Sequence, residues 1–72
     1  MIIDNIINDL DSSTFHTAEY HDPDLELFFI RGGVRFVFGV SEGEFLELCR
    51  EPNDETLLKL FADHQYRDFY GH

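Results

Sequence analysis

The fold of this chain is decided by residues 25–40, which read LELFFIRGGVRFVFGV. Two runs rich in aromatic and β-branched residues, Leu25 to Ile30 and Val34 to Val40, are typical of β-strands. Between them, Arg31-Gly32-Gly33 supplies residues that adopt a positive φ without steric cost, as a tight hairpin requires. The sequence therefore predicts an antiparallel hairpin, and this is the strongest local signal in the chain.

Alternation along the second strand of this hairpin divides its side chains between two faces. We expect the more apolar face to be buried, and it would carry Val34, Phe36, Phe38 and Val40. Arg35, Val37 and Gly39 would lie on the opposite face. Val37, with Phe28 or Phe29, keeps that face apolar enough for a second layer to cover part of it.

A further strand is predicted at Phe15 to His21, upstream of the hairpin, and Asp22-Pro23-Asp24 would form the turn that joins them. The faces of this strand are ambiguous, because Phe15, Thr17 and Glu19 alternate with His16, Ala18 and Tyr20. These segments together predict a three-stranded antiparallel β-meander.

Three helices are expected around the meander. Apolar residues at helical spacing predict an N-terminal helix, and they are Ile2, Ile3, Ile6, Ile7 and Leu10. Ser41 and Glu44 match a capping box that starts a helix from Glu42 to about Arg50. Asn53 is placed to cap a last helix, whose apolar stripe would contain Leu57, Leu58, Leu60, Phe61, Gln65 and Phe69. The predicted fold is one α+β domain over residues 1–72, with two C-terminal helices packed on one face of the sheet.

Charge is the feature that bears most on function. Fifteen Asp and Glu residues face five Lys and Arg residues, for a formal net charge of −10, and residues 1–30 contain seven acids and no Lys or Arg. Such a surface repels phosphate backbones and anionic lipid, so we expect no direct nucleic-acid or membrane binding. No apolar run approaches the roughly 20 residues that span a bilayer. The single cysteine, Cys49, excludes an internal disulfide and favours a cytoplasmic setting, and a homodimer would give so small a core added support.

Catalysis and metal binding are not expected from the available side chains. Glu19 and His21 share a strand face, but two ligands are too few for a zinc site, so we predict no metal and no cofactor. His64 and Asp68 would form an ion pair at i, i+4 on the last helix. The available nucleophiles are Cys49, Ser12, Ser13 and Ser41. Cys49 would lie on the apolar side of its helix, where a thiol is inert, and Ser41 would serve as a helix cap, so no catalytic triad is expected and the protein is predicted not to be an enzyme.

The candidate partner-binding residues are acidic, with an aromatic addition near the C-terminus. One set comprises Asp4, Asp9 and Asp11 on the first helix and Asp22, Asp24 and Glu26 at the meander's edge. A second row, Glu44, Glu47 and Glu51, falls at i, i+3, i+7 of a helix, about 5–6 Å apart. Tyr66 and Tyr70 either form a contact patch or fold back over the sheet.

The leading functional hypothesis is a small acidic inhibitor that binds a basic, nucleic-acid-binding surface of another protein, as a DNA or RNA mimic in phage counter-defence. In size and charge the chain resembles, at the level of class, colicin immunity proteins, uracil-glycosylase inhibitors, restriction-blocking DNA mimics and anti-CRISPR proteins, although no motif transfers residues from any of them. The alternatives are an immunity or antitoxin-like protein that neutralises a basic toxin, and a structural or regulatory subunit that binds through its aromatic face. Acids that merely keep a small domain in solution are the simplest explanation of the charge.

Overall fold

The computed structural model describes residues 5–70. Within that range the elements are, in chain order, β1 (Ile6–Asn8), β2 (Phe15–His21), β3 (Asp24–Phe29), β4 (Val34–Val37), α1 (Glu42–Arg50), α2 (Asp54–Asp63) and β5 (Tyr66–Phe69). The strands form one antiparallel sheet in the order β1-β2-β3-β4-β5, and both helices are inserted between β4 and β5. No helix in this range is both long and apolar enough to cross a bilayer.

The predicted N-terminal helix is wrong, because its described part is a strand. β1 pairs antiparallel with β2, with Ile6 opposite Glu19 and Ile7 opposite Ala18. β-branched isoleucines lose side-chain freedom in a helix and fit a pleated sheet better, and a tertiary partner decides the outcome here. The strand is followed by Asp9 at φ 59°, and residues 1–4 of the predicted helix lie outside the described residues.

The last predicted helix is also too long, and the three-stranded meander is wrong because the sheet has five strands. α2 ends at Asp63, and His64 then adopts an extended backbone. Tyr66–Phe69 continues as β5 and pairs with β4, with Asp68 opposite Arg35. That pairing partner lies 33 residues away in sequence, so a local apolar period could not reveal it.

Several local predictions are confirmed. Gly32 and Gly33 adopt φ values of 96° and 99° in the β3–β4 turn. The capping box at the start of α1 is formed, with the Ser41 side chain accepting from the Glu44 backbone and the Glu44 side chain accepting from the Ser41 backbone. Asn53 caps α2 by accepting from the Thr56 backbone N–H.

A bulge in β2 resolves the ambiguity of its faces. The register shifts between Phe15 and Thr17, so His16 is the extra residue opposite β3. The bulge reverses the alternation at that point. Phe15 consequently joins Ala18 and Tyr20 on the buried side of the sheet, while His16 is exposed.

The core lies between the sheet and the two helices. Its buried members are Leu10, Phe15, Ala18, Tyr20, Leu25, Leu27, Val37, Val40, Phe45, Leu48, Leu57 and Leu60. The Tyr20 and Phe45 rings stack across this interface with centroids 4.7 Å apart. Each fully buried Leu, Val or Phe side chain contributes about 1.5–3 kcal/mol, so this layer supplies most of the stabilisation.

The expected burial of Val34, Phe36 and Phe38 is wrong, whereas Val40 is fully buried as expected. Val37 is fully buried and Arg35 lies beside it on the helix-covered side, because they pair across the sheet with Leu25 and Leu27. Val34 and Phe36 therefore point to the other side of the sheet. A charged side chain can face the helices here because Asp68 supplies a matching carboxylate.

Candidate functional site

The side of the sheet that the helices leave uncovered is called the open face below. Strand register assigns twelve residues to it: Ile6, Asn8, Thr17, Glu19, His21, Asp24, Glu26, Phe28, Val34, Phe36, Arg67 and Phe69. No described helix packs against this side, since the buried apolar residues of α1 and α2 all lie in the single core on the other side.

Aromatic side chains occupy the part of the open face formed by β3, β4 and β5. Phe28, Val34 and Phe69 are cross-strand neighbours in one row, and Phe36 lies next to Val34 along β4. The Phe36 and Phe69 rings meet edge to face with centroids 5.5 Å apart, and Phe69 is 50 % exposed. These four residues are called the aromatic patch. Phe38, directly after β4, is 41 % exposed and extends the apolar character of that strand.

Acidic side chains occupy the part of the open face formed by β2 and β3. His21 Nε2 lies 2.8 Å from Glu19 Oε1 and 3.0 Å from Glu26 Oε2. Asp24 is the cross-strand neighbour of His21. These four residues are called the acidic rim. Within residues 5–70, His21 is the only side chain that forms an ion pair with Glu19 or Glu26, so the rim carries a net negative charge.

Three donors of the acidic rim could in principle hold a metal ion. The ligand atoms of Glu19, His21 and Glu26 lie within 4.8 Å of one another, and catalytic zinc takes three protein ligands. Sequence reasoning found Glu19 and His21 but missed Glu26, because it comes from the neighbouring strand. The same distances describe an exposed imidazole shared by two half-buried carboxylates, so we assign no metal here.

Arg35 forms the most fully partnered charged site, on the helix-covered side. Its Nε and Nη2 donate to Asp68 Oδ1 and Oδ2 at 2.6 and 2.8 Å. The guanidinium carbon also lies 4.0 Å from the Tyr66 ring centroid and 4.7 Å from that of Phe61. Hydrogen bonding to Arg35 lowers the pKa of Asp68, and hydrogen bonding to Asp68 raises the pKa of Arg35. This site fixes β5 to β4 and leaves no free charge for a ligand.

The two predicted contact tyrosines belong to that same site. Tyr66 covers Arg35, and Tyr70 donates its hydroxyl to Asp68 Oδ2 at 3.2 Å and stacks on Phe29 at 5.4 Å. The hydrogen bond to Asp68 raises the pKa of Tyr70. They have folded back onto the sheet, although Tyr66 remains 46 % and Tyr70 65 % exposed.

The predicted His64–Asp68 ion pair is wrong, because the two residues lie on different elements. His64 Nε2 lies 2.6 Å from Glu44 Oε2 and so connects the end of α2 to the start of α1. Hydrogen bonds from His64 and then from the Ser41 backbone lower the pKa of Glu44. Glu44, a candidate contact residue, is therefore largely engaged in holding the two helices together.

The other predicted acids are spread over separate surfaces. Asp9 and Asp11 are exposed near the start of α2, where the Asp11 backbone N–H donates to the carbonyl of Pro52 at 2.8 Å. Asp22 lies in the turn between β2 and β3, where its Oδ1 is 3.0 Å from the Tyr20 hydroxyl. Burial and this hydrogen bond raise the pKa of Tyr20 to about 12. Asp4 lies outside the described residues.

The second acidic row lies on the helical layer. Glu44 and Glu47 border a groove of about 100 Å³ between α1 and α2, together with Lys59 and Asp63, while Glu51 is the C-cap of α1. This layer is on the other side of the core from Asp24 and Glu26. One flat partner surface therefore cannot contact both predicted rows at once.

Cys49 does not pack in the core as predicted, since it is exposed. Partial desolvation raises the pKa of its thiol, so the thiol stays protonated near neutral pH and is a poor nucleophile. A cavity of about 500 Å³ is lined by Ser13, Thr14, Phe29, Ile30, Arg31, Gly32 and Tyr70. It contains hydroxyl groups and a cation but, among its lining residues, no carboxylate or imidazole to act as a general base.

Comparisons with protein-family models, with curated proteins and with solved structures found no match to this chain.

Proposed function

We propose that this protein is a small acidic antagonist that binds a basic, nucleic-acid-binding surface of another protein. The observation that carries the proposal is the shortage of internal cations for its carboxylates. Among the four ion pairs within residues 5–70, only Arg35–Asp68 uses a guanidinium, and the other three use histidines. Most of the carboxylates in that range therefore have no ion-pair partner, and the chain as a whole carries a formal net charge of −10.

Uncompensated carboxylates favour this function for an electrostatic reason. They attract a basic surface over a Debye length of about 8–10 Å and accelerate association with it. A nucleic-acid-binding site displays such a surface, because it neutralises closely spaced phosphates with Lys and Arg. Acids that served only solubility would normally be interspersed with Lys and Arg, whereas residues 1–30 contain neither.

The setting we propose is the cytoplasm, and the host cytoplasm if the protein is encoded by a phage that counters restriction or CRISPR defence. The free thiol of Cys49 suits a reducing compartment. Neutralisation of a basic toxin uses the same electrostatics, and only the identity of the captured partner separates it from counter-defence.

The experiment is affinity capture from the native cell extract at low salt, followed by reconstitution with the purified captured protein. We expect one basic partner, whose complex forms at about 0.1 M NaCl and dissociates at about 1 M NaCl, where the Debye length falls to about 3 Å. A partner that is not basic, or a complex that persists unchanged at the higher salt concentration, would contradict the proposal.

A further inference from the structure

The composition of the open face is unusual for an exposed side of an antiparallel sheet. Along each strand of such a sheet, polar side chains that face water normally alternate with apolar side chains that face the core. Here β4 presents Val34 and Phe36 outward and continues into exposed Phe38, with Phe28 and Phe69 on the flanking strands. The aromatic patch is thus a contiguous apolar surface, and such surfaces on small soluble proteins mark interaction sites.

The residues around the patch give it the anatomy of a protein interface. An apolar centre bordered by charged groups is the usual arrangement, and aromatic residues are enriched in such centres. The border is asymmetric here, because Glu19 and Glu26 lie on the β2–β3 side while Arg67 lies on β5. An occupant that complements this arrangement has apolar side chains facing the patch and Lys or Arg along the side that meets the acidic rim.

The dimensions of the patch fit a helix. Strands β3, β4 and β5 span two interstrand spacings, or about 10 Å, which is close to the diameter of an α-helix with its side chains. The run from Val34 to Phe38 extends about 13 Å at the rise of a strand, equivalent to about nine helical residues. A helix there would complete a third layer over the sheet.

We infer that the open face binds a basic amphipathic helix of the partner protein, with the aromatic patch as the apolar contact and the acidic rim as the charged one. This inference rests on the proposed function and names its contact surface. A second copy of this chain is a poorer occupant, because both copies carry a net charge of −10 and the acidic rim would add to their repulsion.

The test uses a synthetic amphipathic helix of Leu and Lys as the probe, and a Leu and Glu peptide of the same pattern as its counterpart. Affinity for the intact protein is measured by calorimetric titration for Phe36→Ser, Phe69→Ser and a matched control, Leu58→Ser. Leu58 is 64 % exposed but lies on α2, away from the open face. We expect each open-face variant to weaken binding of the basic peptide by about tenfold, as for an interface residue that contributes more than 1 kcal/mol. The control should change it by less than about twofold.

The outcomes separate the contact surface from the proposed function. In one outcome, all three Ser variants bind the basic peptide as tightly as the intact protein does, with the same sensitivity to salt. That result would agree with an acidic binding protein but would overturn the open face as its contact surface. No binding of the basic peptide, or equal binding of the acidic one, would overturn the inferred occupant, whereas the proposed function is decided separately by capture from the cell extract. Sedimentation of the free protein completes the test: a dimer that Phe36→Ser dissociates would identify a second copy as the occupant and would likewise contradict the inference. Far-UV circular dichroism of Phe69→Ser, whose native ring is half exposed, checks that the loss is not one of folding.

Discussion

Substitution of Asp68 by Asn tests whether the Arg35 site holds the end of the sheet together. The change keeps the shape of the side chain but removes the charge that accepts two hydrogen bonds from Arg35. The guanidinium is then left without its counterion on the helix-covered side, where its side chain is only 16 % exposed. We expect loss of stability, with fraying of β5 from β4.

The size of the loss follows from the burial of the pair. Breaking a buried ion pair costs about 3–5 kcal/mol, whereas an exposed pair contributes about 0–1 kcal/mol. The Arg35–Asp68 pair lies nearer the buried limit, but four aromatic rings within 5.5 Å of the guanidinium remain and offset part of the cost. We expect about 2–3 kcal/mol out of the roughly 4–11 kcal/mol typical of a domain of this size. Tm should fall by about 8–24 °C.

Urea denaturation followed by circular dichroism measures this loss directly. The matched control is Arg67→Met, one residue earlier in β5 but directed to the open face, which should cost less than about 0.5 kcal/mol. The double change Arg35→Met with Asp68→Leu removes both charges and should recover most of the stability. An Asp68→Asn variant that loses under about 0.5 kcal/mol, or no more than Arg67→Met loses, would refute this account of the site.

Three further substitutions test the helix junction, the core hydroxyl and the hairpin. Because hydrogen bonds from His64 and Ser41 lower the pKa of Glu44 below its ordinary 4.5, that carboxylate stabilises the fold above about pH 4.5 and the contribution is lost as pH falls through its lowered pKa. Glu44→Gln should therefore cost about 0.5–1 kcal/mol at pH 7 and flatten the decline of stability in acid, as thermal unfolding across that range would record. Tyr20→Phe removes a hydroxyl 2.7 Å from the Val40 carbonyl oxygen, should cost about 1–2 kcal/mol in urea titration, and should abolish the phenol that ionises with a pKa of about 12 in ultraviolet titration. Gly32→Ala places a side chain on a residue with φ 96°, so it should cost about 1–2 kcal/mol in the same urea assay, although no atom lies within 4 Å of the added methyl group.

Local sequence signals predicted the elements that depend on neighbours in the chain. The β3–β4 turn at Gly32 and Gly33, the capping box of Ser41 with Glu44, and the Asn53 cap all use contacts within three residues or backbone preferences of one residue. The structure confirms each of these. Because such features depend only on residues close together in the sequence, a single sequence is sufficient to find them.

Long-range pairings explain the failures. Ile6 and Ile7 fit a helical period, but they form a strand because they pair with β2. Tyr66–Phe69 forms a strand because it pairs with β4, where Arg35 lies opposite Asp68. The face of β4 was misassigned for the same reason, since a charged side chain is expected in water unless its distant partner is known. The sequence did contain a signal for β5, which is the alternation of Tyr66 and Asp68 with Arg67 and Phe69.

The candidate site was likewise predicted only in part from the sequence. Asp24 and Glu26 were predicted as contact residues, and they lie on the open face as part of the acidic rim. Glu19 was considered only as a ligand, and the aromatic patch was not predicted as a site, because β4 was expected to bury Phe36. Strand register brings these residues together, and no motif in the sequence records that register.

The most direct test of the central claim compares two doubly substituted variants of equal charge. Glu19→Gln with Glu26→Gln alters the acidic rim, and Glu47→Gln with Glu51→Gln alters α1. Each changes the formal charge from −10 to −8, because two acids are neutralised. The measurement is the dissociation constant of each variant for the purified natural partner at about 0.1 M NaCl. We predict that the rim variant binds about tenfold more weakly than the intact protein and the α1 variant less than about threefold more weakly. Equal losses would mean that only net charge matters, and a larger loss in the α1 variant would place the contact on the helices and contradict the account.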